Sequence, residues 1–92
     1  MSSEDEPIVL PIDGVLDLHT FRPAEAADLV EDYLAECRAR GIFEVRIIHG
    51  KGIGALRRTV LHRLARLPGI AAVEQAPPDL GGHGATIVRL EP

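Results

Sequence analysis

At 92 residues the chain is too short for more than one domain, and its 46% hydrophobic content, with no Trp, two Phe and one Tyr, implies an aliphatic core. No run approaches the roughly 20 apolar residues of a membrane span, the acidic start (Met1 to Pro7) lacks the regions of a secretory signal, and the lone cysteine, Cys37, forms no disulfide within the chain, so a cytoplasmic, reduced protein without membrane association is expected. The net charge of −4 excludes a uniformly basic polyanion binder, yet eight of the ten basic residues lie between Arg38 and Arg66 beside one acid, Glu44, while residues 1–36 hold ten acids and one base, Arg22.

Such segregation focuses a positive field on one side of a molecule; two solvated helices of opposite outer charge produce the same pattern. Residues 1–12 read as a flexible acidic tail and a lead-in interrupted by Pro11, extended or at most an edge strand. The domain proper is expected over 13–92. Val15 to His19 alternates with period two, Leu16 and Leu18 on one face and Val15, Asp17 and His19 on the other. With the leucines turned to a core, this strand presents a carboxylate and an imidazole side by side.

Pro23 suits the first helical position, and from there to Arg40 the residues Ala26, Val30, Tyr33, Leu34 and Cys37 form an apolar stripe opposite Asp28, Asp32 and Glu36. Gly41 stops this helix. Phe43 to Ile48 is a second strand, with Val45 and Ile47 facing one way and Glu44, Arg46 and Ile48 the other. His49-Gly50-Lys51-Gly52-Ile53-Gly54 follows; glycines this dense weaken regular structure and mark a turn. Ala55 to Leu67 is a second helix, with Leu56, Val60, Leu64 and Leu67 toward the core and Arg58, His62 and Arg66 along another face. Ile70 to Ala76 is a weaker strand. A loop containing Gly81-Gly82-His83-Gly84 leads to a last strand, Ala85 to Leu90.

The order is therefore β-α-β-α-β-β. Right-handed crossovers make the first two strands parallel and place both helices on one sheet face, giving a two-layer α/β sandwich. Ligands of such sheets bind beyond the carboxyl ends of the parallel strands. Asp17, His19, His49 and the glycine loop all fall at that edge.

The loop matches neither the P-loop spacing nor a dinucleotide fingerprint, so no nucleotide cofactor is expected. Its glycines let backbone N–H groups converge on an anion beside a helix N-terminus, with Lys51 and Arg57 adding charge; a tight strand-to-helix turn would need the same glycines. Asp17 and His19 suit orienting a water, binding a divalent metal, or acting as a general acid–base pair. With His49 nearby, the set fits phosphodiester cleavage. No ligand set suits zinc. His62 reads as a solvated helix residue, and His83 as part of a mobile turn.

Three linked segments carry a family resemblance: Leu16-Asp17-Leu18-His19, His49 through Arg57, and Gly81-Gly82-His83-Gly84-Ala85-Thr86-Ile87-Val88. Together they resemble the Smr, or small MutS-related, domain over nearly all of residues 14–91. The resemblance implies a fold like the C-terminal domain of translation initiation factor three, with a four-stranded mixed sheet in the order 1-2-4-3 and an antiparallel last strand. It implies an endonuclease that nicks DNA or cleaves RNA, aided by Mg²⁺ or Mn²⁺ and linked to DNA repair or recombination. The L-D-x-H motif falls on Leu16 to His19, making Asp17 and His19 the catalytic candidates and the tentative metal ligands. The H-G-x-G motif falls on His49 to Gly52, giving His49 a catalytic or binding role. Gly50, Lys51, Gly52, Gly54, Arg57 and Arg58 become the phosphate-binding set, with Arg63 and Arg66 tracking the backbone beyond it.

Thr20 stands where the family often has glycine, and a β-branched residue there bears on loop geometry and substrate access. A rival reading is a nucleic-acid-binding module of the same fold without turnover; a third is a protein-interaction domain whose arginines are simply solvated. With few aromatic side chains for stacking, recognition is expected to follow backbone or shape, with weak sequence preference.

Overall fold

The computed structural model describes residues 11–52 and 54–92. The acidic tail and most of the lead-in expected over 1–12 lie outside the described residues; Pro11 and Ile12 are not in a strand, and Ile12 packs against the core. The elements are β1 (Val15–Asp17), α1 (Pro23–Ala39), β2 (Glu44–Ile48), α2 (Ala55–Leu64), β3 (Ile70–Gln75) and β4 (Ala85–Leu90), with short 3₁₀ turns at Pro78–Leu80 and Gly82–Gly84.

The expected order holds, with shorter ends. β1 stops at Asp17 because the Phe21 amide turns back to the Leu18 carbonyl (2.9 Å), which puts His19 in a turn rather than a strand. α2 stops at Leu64, not Leu67. Its last turn tightens into i→i+3 bonds from Arg66 to Arg63 and from Leu67 to Leu64 (3.0 and 3.2 Å). Pro68 disfavours helical geometry at the residue before it.

The sheet order is β1-β2-β4-β3. β1 runs parallel to β2, Leu16 opposite Ile47, and β4 is antiparallel to both β2 and β3. This is the mixed sheet that the resemblance implies. α1 buries Ala26, Val30, Tyr33, Leu34 and Cys37, the stripe read from the sequence. α2 buries Val60 and Leu64, while Leu56 and Leu67 are partly covered. These side chains meet Leu16, Leu18, Val45, Ile47, Val88 and Leu90 in one aliphatic core between the helices and a single sheet face. Ala76, Ala85 and Ile87 form a smaller cluster with Ile48, separate from that core. Among the described residues no helix is long and apolar enough to cross a membrane.

Two devices fix β1 against the helices. α1 begins with Pro23 after the extended Arg22 and ends in a Schellman pair, Gly41 N–H to Arg38 C=O (3.1 Å) and Ile42 N–H to Cys37 C=O (2.9 Å). The Tyr33 hydroxyl accepts from the Asp13 and Gly14 amides (3.3 and 3.1 Å) and lies 3.2 Å from the Pro11 and Val15 carbonyls. The segment entering β1 is thereby pinned to α1, and the position of Asp17 follows from it.

Candidate active site

Parallel pairing brings β1 and β2 to the same edge, and the Leu18 amide still bonds the Ile48 carbonyl (2.7 Å) one residue past β1. Beyond it the chain turns over Leu18–Phe21. Asp17 Oδ1 accepts the His19 backbone N–H at 3.0 Å and lies 2.5 Å from His19 Nδ1. A carboxylate only accepts, so Nδ1 carries the proton, and in the neutral ring Nε2 is the acceptor. The imidazole bond holds the Asp17 carboxyl below its usual value, outweighing a small opposing effect of burial. Both side chains are about half exposed, at 59% for His19 and 49% for Asp17. Thr20 is exposed, and every described residue other than glycine has negative φ. The turn therefore does not need glycine at Thr20, and the β-branched residue fits it without backbone strain.

His49 lies in a different environment. It continues the inward alternation of Val45 and Ile47 and is only 4% exposed. Nδ1 is 3.1 Å from the Gly50 carbonyl and Nε2 is 3.0 Å from Thr86 Oγ1. The carbonyl requires a proton on Nδ1, so Nε2 accepts the Thr86 hydroxyl. Burial pushes the His49 pKa down, against a smaller opposing effect of the Gly50 bond. The ring is thus neutral, with both nitrogens engaged inside the protein. The geometry does not bring it forward as a second open imidazole beside His19.

The glycine loop rests on the Gly82–Gly84 turn, whose Gly84 carbonyl accepts the His49 and Gly50 amides (2.9 and 3.0 Å). The segment read as a mobile turn is hydrogen-bonded into the loop, although the His83 side chain is exposed. Gly50 and Gly54 sit at φ +81° and +87°, a region costing an L-residue roughly 1–2 kcal/mol. These two glycines make the strand-to-helix turn that the turn reading requires. Gly54 caps α2 without any side-chain cap, and the first helical turn holds no acid, which leaves its positive end suited to an anion.

Between these turns opens a cleft of about 390 Å³, with His19, Phe21 and Pro23 from the first and His49, Gly50, Gly52, Gly54, Leu56 and Arg57 from the second. Asp17 does not line it and reaches it only through His19. Lys51 stands exposed on the loop. Most arginines elsewhere are committed: Arg22 to Glu25, Arg40 to Glu36, Arg63 to Asp28 and Glu31, and Arg89 to Glu44 and Glu74. Arg38 and Arg46 bond backbone carbonyls. Among the described residues Lys51, Arg57 and Arg66 have no carboxylate partner. Unneutralised charge therefore gathers at the cleft and just past the end of α2, and Arg63, expected to track the backbone, is instead tied to α1.

The tentative metal assignment to Asp17 and His19 meets a limit in the donor set. The two residues face each other through Oδ1 and Nδ1, and among the described residues no third His, Cys, Asp or Glu joins them. Two protein donors make no cage of their own for Mg²⁺ or Mn²⁺; such an ion would take the Asp17 carboxylate together with waters and a substrate phosphate.

Thr86, Phe21 and the Gly84 carbonyl escaped the sequence reading. Thr86 had a signal: a hydroxyl inside a β-branched strand that is buried needs a partner. Phe21, two residues after His19, carried no distinguishing mark.

Fold and site together define a small α/β sandwich with a cleft lined by loop glycines and Arg57, and one carboxylate-supported imidazole, at the edge of its parallel strands. Residues 16–91 match the Smr domain family, and the chain belongs to that family. It is 43% identical over 77 residues to endonuclease MutS2 of Thermus thermophilus, covering 84% of this chain and 10% of that protein. Against endonuclease MutS2 of Carboxydothermus hydrogenoformans it is 41% identical over 76 residues, covering 83% of this chain and 10% of the relative. The chain thus spans about a tenth of these relatives' length. The crystal structure of the Smr domain of Thermus thermophilus MutS2 superposes with a TM-score of 0.81 at 42% identity, covering 85% of this chain and 98% of that one. YdaL, a stand-alone small MutS-related protein from Escherichia coli, gives 0.82 at 30% identity, covering 89% of this chain and 67% of that one.

Proposed function

We propose that this domain is an endonuclease that hydrolyses a phosphodiester bond in nucleic acid, nicking DNA or cleaving RNA, with His19 as general base and Asp17 as the residue that orients it. One observation carries this reading: His19 lines the cleft with Nδ1 held by Asp17 and Nε2 unbonded among the described residues, in the same cleft as Arg57 and the loop glycines. Relatives named as endonucleases support the reaction class.

In the reaction, His19 Nε2 takes a proton from water as the water oxygen bonds to phosphorus. The bond from phosphorus to the leaving oxygen then breaks, and that oxygen takes its proton from solvent. Lys51, Arg57 and the loop amides hold the non-bridging oxygens and stabilise the charge that develops there. Arg58 extends this contact. His49 serves as a positioning residue, joining loop to β4 through Gly50 and Thr86. No step runs through Mg²⁺ or Mn²⁺, whose involvement is a variable for the assay. A cytoplasmic setting and a place in DNA repair or recombination belong to the same proposal.

The second reading, a binding module without turnover, is favoured by the internal bonding of His49, which leaves one open imidazole at the cleft. The test is to incubate wild type and Asp17→Ala/His19→Ala with supercoiled plasmid and single-stranded RNA, in Mg²⁺, Mn²⁺ or EDTA. The endonuclease reading expects cleavage by wild type alone, with binding retained by the variant. Salt-sensitive binding without cleavage by either protein selects the binding module. Identical cleavage by both proteins on every substrate overturns the assignment.

A further inference from the structure

We propose that a depression on the outer side of α1 and α2, lined by Arg58, His62 and Arg66, is a second contact for a nucleic-acid backbone, several nucleotides from the phosphate held at Lys51 and Arg57. The proposal rests on the nucleic-acid reading of the cleft and extends it to a surface that the cleft does not include.

The depression measures about 440 Å³ and is lined by Ala27 of α1 with Arg58, Thr59, His62, Arg63 and Arg66. It contains four basic or imidazole side chains and no acid. Arg57 lines the cleft and Arg58 the depression, and consecutive helical residues are turned by about 100°, so the two sites share the first turn of α2. The Arg58 guanidinium lies back toward that turn, with Nη1 3.3 Å from where a Cβ on Gly54 would sit. It stands between the two sites. Arg58 and His62 stand about 6 Å apart along α2, and Arg66 follows in the tightened turn beyond Leu64, a row on the order of 12 Å. Phosphates on one strand of a duplex advance about 3.4 Å along the axis per nucleotide, so the row spans three to four nucleotides.

Arg63 shows how the surface is tuned. Its guanidinium is bound by Asp28 at 3.2 Å and Glu31 at 2.8 Å, both on α1. The depression therefore presents His62 and Arg66, beside Arg58, to a polyanion, with Arg63 held in reserve. Arg66 has no carboxylate partner among the described residues, and His62 is exposed.

The test measures affinity for a single-stranded dinucleotide and for DNA duplexes of 10, 16 and 24 base pairs, across a salt series, for five proteins: wild type, His62→Ala/Arg66→Ala, Lys51→Ala/Arg57→Ala, Asp28→Asn/Glu31→Gln and the charge-matched control Asp32→Asn/Glu91→Gln, whose two carboxylates hold no arginine among the described residues. The 62/66 variant should bind the longest duplex about tenfold more weakly, with a salt slope smaller by about 1, yet match wild type on the dinucleotide. The 51/57 variant should weaken at every length. Freeing Arg63 in the 28/31 variant should strengthen long-duplex binding severalfold, and the 32/91 control should not. If the 62/66 variant keeps wild-type affinity and slope on long duplexes while the 51/57 variant loses binding, the second contact is refuted and the cleft reading stands. Equal strengthening in the 28/31 variant and its control also overturns it, because the effect is then net charge alone. If wild type binds no duplex in low salt, the nucleic-acid reading and this proposal fall together.

Discussion

The turn after β1 and the loop after β2 sit at one sheet edge, and each begins with a histidine, yet they are built to opposite specifications. The first contains no glycine, leaves His19 half exposed and fixes it through a single carboxylate. The second uses two left-handed glycines, buries His49 and bonds both ring nitrogens to the protein. A motif histidine can thus supply a reactive nitrogen or hold a loop in place. Burial and hydrogen-bond inventory, rather than position at the edge, separate the two roles.

The comparison breaks most readily at His49. Replacing it by Ala removes a buried ring and orphans the Thr86 hydroxyl, so stability should fall by about 3 kcal/mol in urea unfolding. His19→Ala, at an exposed site, should change stability by no more than about 0.5 kcal/mol. Equal losses for the two would erase the contrast. Thr86→Val keeps the shape but strips the donor from His49 Nε2, and should cost about 1–3 kcal/mol by the same measurement.

A smaller effect sharpens the contrast through pH. Burial lowers the His49 pKa in the folded state, so the unfolded chain binds a proton that the folded chain resists. The resulting stability is complete above the ordinary imidazole value of about 6.5 and is lost as the pH falls below it. Between pH 7.5 and 5.5 wild type should lose more stability than His49→Gln, read from parallel urea titrations. Asp17, whose pKa is also lowered, acts with the same sign, but its contribution is lost only in the carboxylate range, below about pH 4. The two windows separate the two turns. Smallest of all is Thr20→Gly: with no positive φ to relieve, it should leave stability within about 0.5 kcal/mol and the cleavage rate unchanged.

Much of this fold is legible in residue spacing. The α1 stripe and the leucine alternation of β1 each report a burial pattern that the structure repeats, because periodicity directly encodes which face meets the core. Helix and strand ends were less legible, since the Leu18–Phe21 turn and the residue before Pro68 act through local hydrogen bonds and sterics. At the site, Asp17 beside His19 follows from period two within one short segment. The setting of His49 does not, because it depends on Thr86, 37 residues away, and on a β2–β4 register that only the assembled sheet defines. Arg63 escaped for the same reason: its partners lie on another helix.

The central claim is that His19 reacts and His49 supports. It is tested most directly by measuring plasmid nicking by wild type, His19→Ala and Thr86→Val at one pH, each rate corrected for the folded fraction from its own melting curve. The account predicts a rate about 10²–10⁴-fold lower for His19→Ala with an unchanged melting temperature, and a lowered melting temperature for Thr86→Val with a near-normal rate per folded molecule. Wild-type nicking by His19→Ala would contradict it.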